Sequence, residues 1–245
     1  MDQALLLDEE KKESLFFGTE ALTAVCQLVA TLYRFVLKED MVQRLLDINA
    51  QSNEEDFILE NKDCAEGLLA MQEYCRKPDL ASLLLEASKD YHGLFVGPSR
   101  LLAPPWSSVY MDSRGTIFGP TARKVKSVFL EQGFVIPEGT TEPSDHVAYE
   151  WQFIADLQKR ILLAWKNDED NVVSATVSVL CDFFDSCFNP WIGEFCSKVT
   201  KNAKTDFYRG LSQFSVGLWV LEQDIIKGLR VLVLKPEDCG EEKKA

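Results

Sequence analysis

Histidine is scarce in this chain, and the patterns that would make it catalytic are missing. Only His92 and His146 occur, and neither belongs to an H-E-x-x-H or H-x-x-E-H spacing, so a helix-borne catalytic metal centre is excluded. The seven cysteines (Cys26, Cys64, Cys75, Cys181, Cys187, Cys196 and Cys239) are an odd set without a C-x-x-C pair. That argues against a disulfide framework and a zinc site, and for buried free thiols in a reducing compartment. No glycine-bearing stretch ends in Lys-Ser or Lys-Thr. Gly115-Thr-Ile-Phe-Gly119-Pro-Thr121 precedes a helical pattern but reads as a turn, not a phosphate loop. Ser107, Ser108 and the cysteines sit in no nucleophile elbow. Sustained period-two alternation, hairpin dipeptides between apolar runs and internal repeats are all lacking.

Long apolar runs are lacking too: the stretch Leu28 to Leu37 carries Arg34 and stops at Lys38, short of a membrane span. Met1 to Glu13 is acidic, with no basic n-region and no small-residue cleavage site, and reads as a cytoplasmic start. Positive charge is in deficit, with 26 Lys and Arg against 39 Asp and Glu for a net −13. Such a field repels nucleic acid and anionic lipid and attracts a cationic partner.

What is present is helical periodicity. Hydrophobic residues make up 46% and aromatics 11% of 245 residues, enough for a sizeable core in one domain over 1–245, with 1–18 and 236–245 as candidate loose tails. Leu22, Val25, Val29, Leu32 and Val36 recur at helical spacing, widened by Leu28 and Phe35. Asp40, Asp63 and Asp79 are placed to cap the next helices, the second ending before Pro78. Between Gly97 and Pro120, Pro98, Pro104, Pro105, Gly115 and Gly119 deny any helix longer than a turn. Helix resumes near Thr121 with Gly133 as its C-terminal cap, followed by a second irregular stretch from Val135 to Pro143. Ser144 is placed as N-cap of a long helix with Val147, Trp151, Ile154, Leu157 and Ile161 inward, which puts Asp145 and His146 in its first turn. Amphipathic segments follow over about 171–188, after Pro190, and from Thr205 to Ile225, with 231–234 as helix end or extended piece. The expected fold is all-α, a bundle of eight to ten helices with a long Pro-rich irregular segment.

Two features carry candidate chemistry. Asp145 beside His146 suggests general acid/base or metal work, but neighbours on a helix point apart; a cap plus a loop-pinning histidine and a binding role both fit. The segment from Leu94-Phe-Val-Gly-Pro98 to Pro104-Pro-Trp-Ser-Ser-Val-Tyr110 combines large apolar side chains with prolines, and is either a peptide groove or a packed crossover. With the carboxylate surplus, a groove suits a peptide basic at one end and apolar beyond it, because guanidinium groups pair with carboxylates in a planar fork.

These two pieces, with Met111-Asp112, resemble the proline-rich segment of the TorD/DmsD family of redox-enzyme maturation chaperones. Glu142-Pro-Ser-Asp145-His146-Val-Ala-Tyr-Glu150-Trp-Gln-Phe153-Ile-Ala-Asp-Leu157 is similar to the family's E-P-x-D-H segment and the acidic helix after it, and Val125 to Gly133 to its short helix, with Phe129 where tyrosine is usual. Phe188-Asn-Pro-Trp191 and Asp206-Phe-Tyr208 are similar to later family helices. Tyr91 and Ser99 depart from family tryptophans, which points to a differently tuned pocket.

The resemblance implies a cytoplasmic, non-catalytic, all-helical protein without a cofactor. It implies binding of the twin-arginine leader, or the apo-form, of a molybdopterin oxidoreductase of the DMSO or TMAO reductase type until its cofactor is inserted, before Tat export and in the context of anaerobic respiration. Carried over by position, the leader pocket is Tyr91, Leu94, Phe95, Pro105, Trp106, Asp145 and His146, with Tyr110 and Glu142 nearby. Within it Asp145 is expected to meet a leader arginine, His146 to orient the loop or bond peptide backbone, and Trp106, Leu94 and Phe95 to hold the apolar part. Rival readings are a GTP-binding switch and a leader-independent scaffold for cofactor insertion. Either a monomer or a domain-exchanged dimer is compatible with the chain.

Overall fold

A computed structural model describes residues 3–48, 57–97, 101–136, 140 and 142–233. The chain runs α1 (Gln3–Arg34), α2 (Glu39–Asp47), the single turn α3 (Phe57–Glu60), α4 (Lys62–Cys75), α5 (Leu80–Phe95), the single turn α6 (Ser108–Met111), α7 (Pro120–Glu131), α8 (Val147–Lys166), α9 (Asp170–Phe183), a π-turn (Phe184–Phe188), α10 (Asn189–Asn202) and α11 (Asp206–Val233). Among the described residues the one piece of β-pairing is an isolated antiparallel bridge between Trp106 and His146. The all-α expectation holds, with nine helices longer than a turn among the described residues.

The longest helices carry the core. α1 packs along α8 and α11 along α4. On α8, Val147, Trp151, Ile154, Leu157 and Ile161 are all buried, as their spacing requires. On α1 the buried stripe is Leu22, Cys26, Val29, Leu32 and Tyr33, while Phe35 lies outside it, because the helix stops at Arg34. Residues 1–18, expected as a loose tail, are helical from Gln3, and Leu15 and Phe16 pack against the core, Phe16 beside Trp165. The expected tail at 236–245 lies outside the described residues.

Several expected caps move. α2 begins after Lys38, with Asp40 in its first turn, where its charge still suits the helix dipole. Asn61, not Asp63, caps α4, its Oδ1 accepting the N–H groups of Asp63 and Cys64 at 3.0 and 3.2 Å. Asp79 caps α5 through the Ser82 N–H as expected, and Gly133 ends the α7 turn at φ +68. Residues 231–233 continue α11.

From 170 to 202 the chain is helical throughout, although Pro190 lies within it. Proline cannot donate to the carbonyl four residues back and crowds it, and the π-turn just before Pro190 gives the ring room. The carbonyl of Ser186, the one Pro190 cannot reach, accepts from Lys124 Nζ at 3.3 Å. This continuity makes residues 170–202, like 9–34, long and apolar enough to cross a membrane by length and composition, which the interrupted runs of the sequence did not suggest. About half of each apolar window, 50% and 44%, is buried inside the protein, as in a core helix.

α4 and α11 approach so closely that their backbones meet at Gly67 and Gly210. A Cβ on Gly67 would stand 2.6 Å from the Gly210 carbonyl oxygen and would strike the Phe214 backbone, neither of which can turn aside. Gly67→Ala is therefore expected to destabilise the fold by about 1–3 kcal/mol or more. Urea unfolding of the variant checks this, and an unchanged midpoint would refute the close contact.

Candidate functional site

The Pro-rich segment is tied to the start of α8 by its own backbone. After α5 the chain folds back, with the Leu102 and Ala103 N–H groups donating to the carbonyls of Gly93 and Leu94 at 3.3 and 3.0 Å. It then pairs with residues 145–147: Ser107 N–H donates to the Asp145 carbonyl at 3.0 Å and Val147 N–H to the Pro105 carbonyl at 2.8 Å. Trp106 and His146 face each other in this bridge, their rings 6.5 Å apart, and the Trp106 indole N–H donates to Glu142 Oε2 at 3.0 Å. Tyr110 closes the turn by donating its hydroxyl to the Pro104 carbonyl at 2.8 Å, and its ring lies under Lys198 Nζ. The two sequence motifs therefore form one structural unit.

Asp145 and His146 lie before α8, not in its first turn. The cap expected of Ser144 is made by His146, whose Nδ1 accepts the Ala148 N–H at 3.1 Å. An accepting Nδ1 requires the neutral ring with its proton on Nε2. Burial and, second, the nearby Arg34 charge lower the His146 pKa to about 3. Asp145, expected to meet an arginine of a bound leader, is instead wholly buried and turned inward. Its Oδ2 accepts the Ser108 N–H at 2.7 Å and so caps α6.

The other expected site residues divide in the same way. Tyr91 is buried, its hydroxyl donating to the Arg34 carbonyl at 2.9 Å. Leu94 and Phe95 are core residues, Phe95 within an aromatic cluster of Tyr33, Phe195 and Tyr208, so neither offers a surface to an apolar ligand in this conformation. Pro105 is buried, while Trp106, Tyr110 and Glu142 are half-buried and reach the exterior. Ser99 lies outside the described residues. Among the described residues no group of three or more His, Cys, Asp or Glu could hold a metal ion.

Beside this unit lies a groove of about 850 Å³, lined by Leu101, Leu102, Pro104, Trp106, Val109 and Ile117, with Lys198 at its edge. Leu102 is 43% and the adjoining Phe118 63% exposed. Phe118 also holds φ +63, a left-handed conformation rare for an aromatic residue and of the kind that collects at binding sites. Sequence reading offered the segment up to Tyr110 as a possible groove but did not single out Leu101, Leu102, Val109 or Ile117; their signal is apolar character inside a segment with no helix longer than a turn.

The family described as nitrate reductase delta subunit matches residues 60–197, which include the whole of this unit. The chain belongs to that family, of the TorD/DmsD type. It is 25% identical over 129 residues to a probable Tat proofreading chaperone DmsD of Haemophilus influenzae, covering 53% of this chain and 56% of that protein. It is 23% identical to the chaperone protein TorD of Shewanella oneidensis, covering 82% of this chain and 87% of the relative. The alignment to the Haemophilus protein thus spans little more than half of that relative's length. A crystal structure from Archaeoglobus fulgidus, described as a redox enzyme maturation protein, aligns with 81% of this chain and 93% of its own at 19% identity and a TM-score of 0.44. As a TorD/DmsD-type chain the protein keeps the E-P-x-D-H segment, and here that segment is chiefly a clamp on the Pro-rich crossover.

The His146 cap should make the fold acid-sensitive. Its ordinary pKa of 6.5 falls to about 3 on folding, so between these values the unfolded chain takes a proton that the folded one refuses. This contribution is complete above 6.5 and is lost as pH falls toward 3. Glu222, buried and raised from 4.5 to about 7 chiefly by desolvation, acts oppositely: its contribution is complete below 4.5 and lost as pH rises through 7. The stability difference between wild type and His146→Gln isolates the first effect. It should shift against wild type by up to about 1.4 kcal/mol per pH unit on acidification below 6.5. Urea unfolding across that range measures it, and a constant difference would overturn the assignment.

Proposed function

We propose that this chain is a non-catalytic redox-enzyme maturation chaperone, acting in the cytoplasm as one domain over 1–245, that holds the twin-arginine leader of a molybdopterin oxidoreductase until its cofactor is in place. The observation that carries the reading is the groove lined largely by apolar side chains, one of which, Trp106, donates its indole N–H to the Glu142 carboxylate. A leader has matching chemistry, with paired guanidinium groups followed by an apolar stretch. Leu102, Val109, Ile117 and the Trp106 ring take the apolar part, and Tyr110 flanks it. Glu142 takes an arginine, aided by the net charge of −13. Tyr91, Leu94, Phe95, Pro105, Asp145 and His146 shape the groove from beneath. The names of the relatives, Tat proofreading chaperone DmsD and chaperone protein TorD, support the same reading.

The nucleotide-switch alternative gains no support at Gly115–Thr121. The N-terminus of α7, where a phosphate would sit, is filled by Asp112, whose Oδ1 accepts the Thr121 N–H at 3.2 Å and its hydroxyl at 2.6 Å.

Calorimetric titration with a synthetic twin-arginine leader, beside a twin-lysine control, tests the proposal. The arginine leader is expected to bind more tightly, with an affinity that falls as salt is raised. Leu102→Asp should weaken it by about tenfold or more, since a carboxylate would then line the apolar trough. Equal binding of both leaders, or none, sinks the leader reading; capture of a leaderless apoenzyme instead would favour the scaffold.

A further inference from the structure

Two wholly buried carboxyl groups meet beneath the Pro-rich segment, and their visible partners leave half of their oxygens unused. Asp145 Oδ2 accepts from the Ser108 N–H at 2.7 Å and from the Ser107 hydroxyl at 3.4 Å. Glu150 Oε2 accepts from the Trp191 indole N–H at 2.9 Å. Asp145 Oδ1 and Glu150 Oε1 are buried without a hydrogen-bond partner.

Among the described residues no cation pairs with either carboxyl; Arg34, whose charge reaches His146, lies over the Tyr149 ring. Asp145 and the neutral His146 precede Glu150, Ser107 faces it from the Pro-rich segment, Trp191 from α10, and the Cys187 thiol lies nearby on the π-turn. Lys124 of α7, next to Cys187, is directed at the Ser186 carbonyl. Among the described residues no lysine or arginine forms an ion pair with Asp145 or Glu150. Two adjacent negative charges in a site closed to solvent repel each other and lose their hydration, and the usual outcome is that one of them keeps its proton. Asp145 Oδ2 takes two donors, the Ser108 N–H and the Ser107 hydroxyl, whereas Glu150 Oε2 takes the Trp191 indole N–H alone. Burial first, and then the Asp145 charge, push the Glu150 carboxyl well above its ordinary range.

We propose that Glu150 is a positioning residue held as a neutral carboxylic acid, so that the Asp145–Glu150 pair carries one proton and one negative charge and locks the wall of the groove. The lock reaches three helices and the chain before one of them: α8 through Glu150 and the residues leading into it through Asp145, α6 through Ser108, and α10 through Trp191. α6 supplies Val109 and α10 supplies Lys198 to the groove, so its width depends on this proton. The effect on ligand rests on the leader-chaperone reading, whereas the protonation does not.

Infrared difference spectroscopy at neutral pH separates the two. Wild type should show the carbonyl stretch of a protonated carboxyl that is absent from Glu150→Gln; buried Glu222 gives a band of its own that both proteins keep. Because glutamine replaces one neutral group by another of the same shape, Glu150→Gln should fold and bind the twin-arginine leader within about twofold of wild type. Glu150→Asp, which withdraws the carboxyl by one methylene, should weaken binding by about tenfold. An unchanged carboxyl band in folded Glu150→Gln, or failure of that variant to fold, overturns the proposal. A Glu150-dependent band in a wild-type protein that binds no leader upholds the protonation and removes only the leader reading.

Discussion

Proline sets the problem that the rest of this molecule answers. Pro104 and Pro105 donate no hydrogen bond and hold the chain off helical geometry as it crosses the bundle, where unpaired carbonyls are costly. Both carbonyls are satisfied from outside the segment's own backbone ladder, Pro104 by the Tyr110 hydroxyl and Pro105 by the Val147 N–H. The Asp145 carbonyl is spent on Ser107 and its carboxylate on Ser108, so the chain cannot turn into helix until the next residue. That residue is His146, and its imidazole becomes the cap. The start of α8 is therefore decided by the crossover it supports.

This dependence explains what could be read from the residues alone. The inward face of α8 was legible because Val147, Trp151, Ile154, Leu157 and Ile161 repeat at helical spacing and nothing else on the helix competes with them. The caps at Asp40, Asp63 and Ser144 were misplaced because several acceptors stood near each helix start, and tertiary contacts chose among them. On α11 the periodicity gives Leu211, Phe214, Leu218, Leu221 and Ile225; the first three are buried and the last two only partly, because the buried face passes through Glu222, which no hydrophobic pattern includes. Glu222 is tolerated there because Gln158 donates to both its oxygens and the Cys26 thiol donates to one. The candidate site was legible only in part. The motifs that meet at the crossover stood out through family resemblance, whereas Leu101, Leu102, Val109 and Ile117 form a groove only because distant turns bring them together.

Charge is divided between surface and interior in opposite ways. The exterior is strongly acidic, and its ion pairs, such as Lys198–Glu194 and Lys166–Glu20, are exposed and weak individually. Inside, burial drives His146, Glu150 and Glu222 toward their neutral forms, the first downward and the other two upward, and among the described residues neither glutamate is in an ion pair. The long-range field of the molecule thus comes from side chains that contribute little to the fold, while these buried groups contribute little to the field.

Most of the family-like positions lie beneath the groove and few of them line it, which changes what their substitution means. Asp145, Phe95 and Tyr91 are enclosed by the core: Asp145 holds residues 104–111 through the Ser108 N–H, while Tyr91 holds the end of α1 through the Arg34 carbonyl and Phe95 packs in the aromatic cluster. Trp106 differs, because it shares the bridge with His146, donates to Glu142 and also presents its ring to the groove. It thereby joins the clamp to the groove. Variation at Leu102, Val109 or Ile117 can therefore retune the apolar trough while the clamp stays intact, and variation in the clamp cannot avoid moving the trough. The dependence runs one way, from the clamp to the trough and not back.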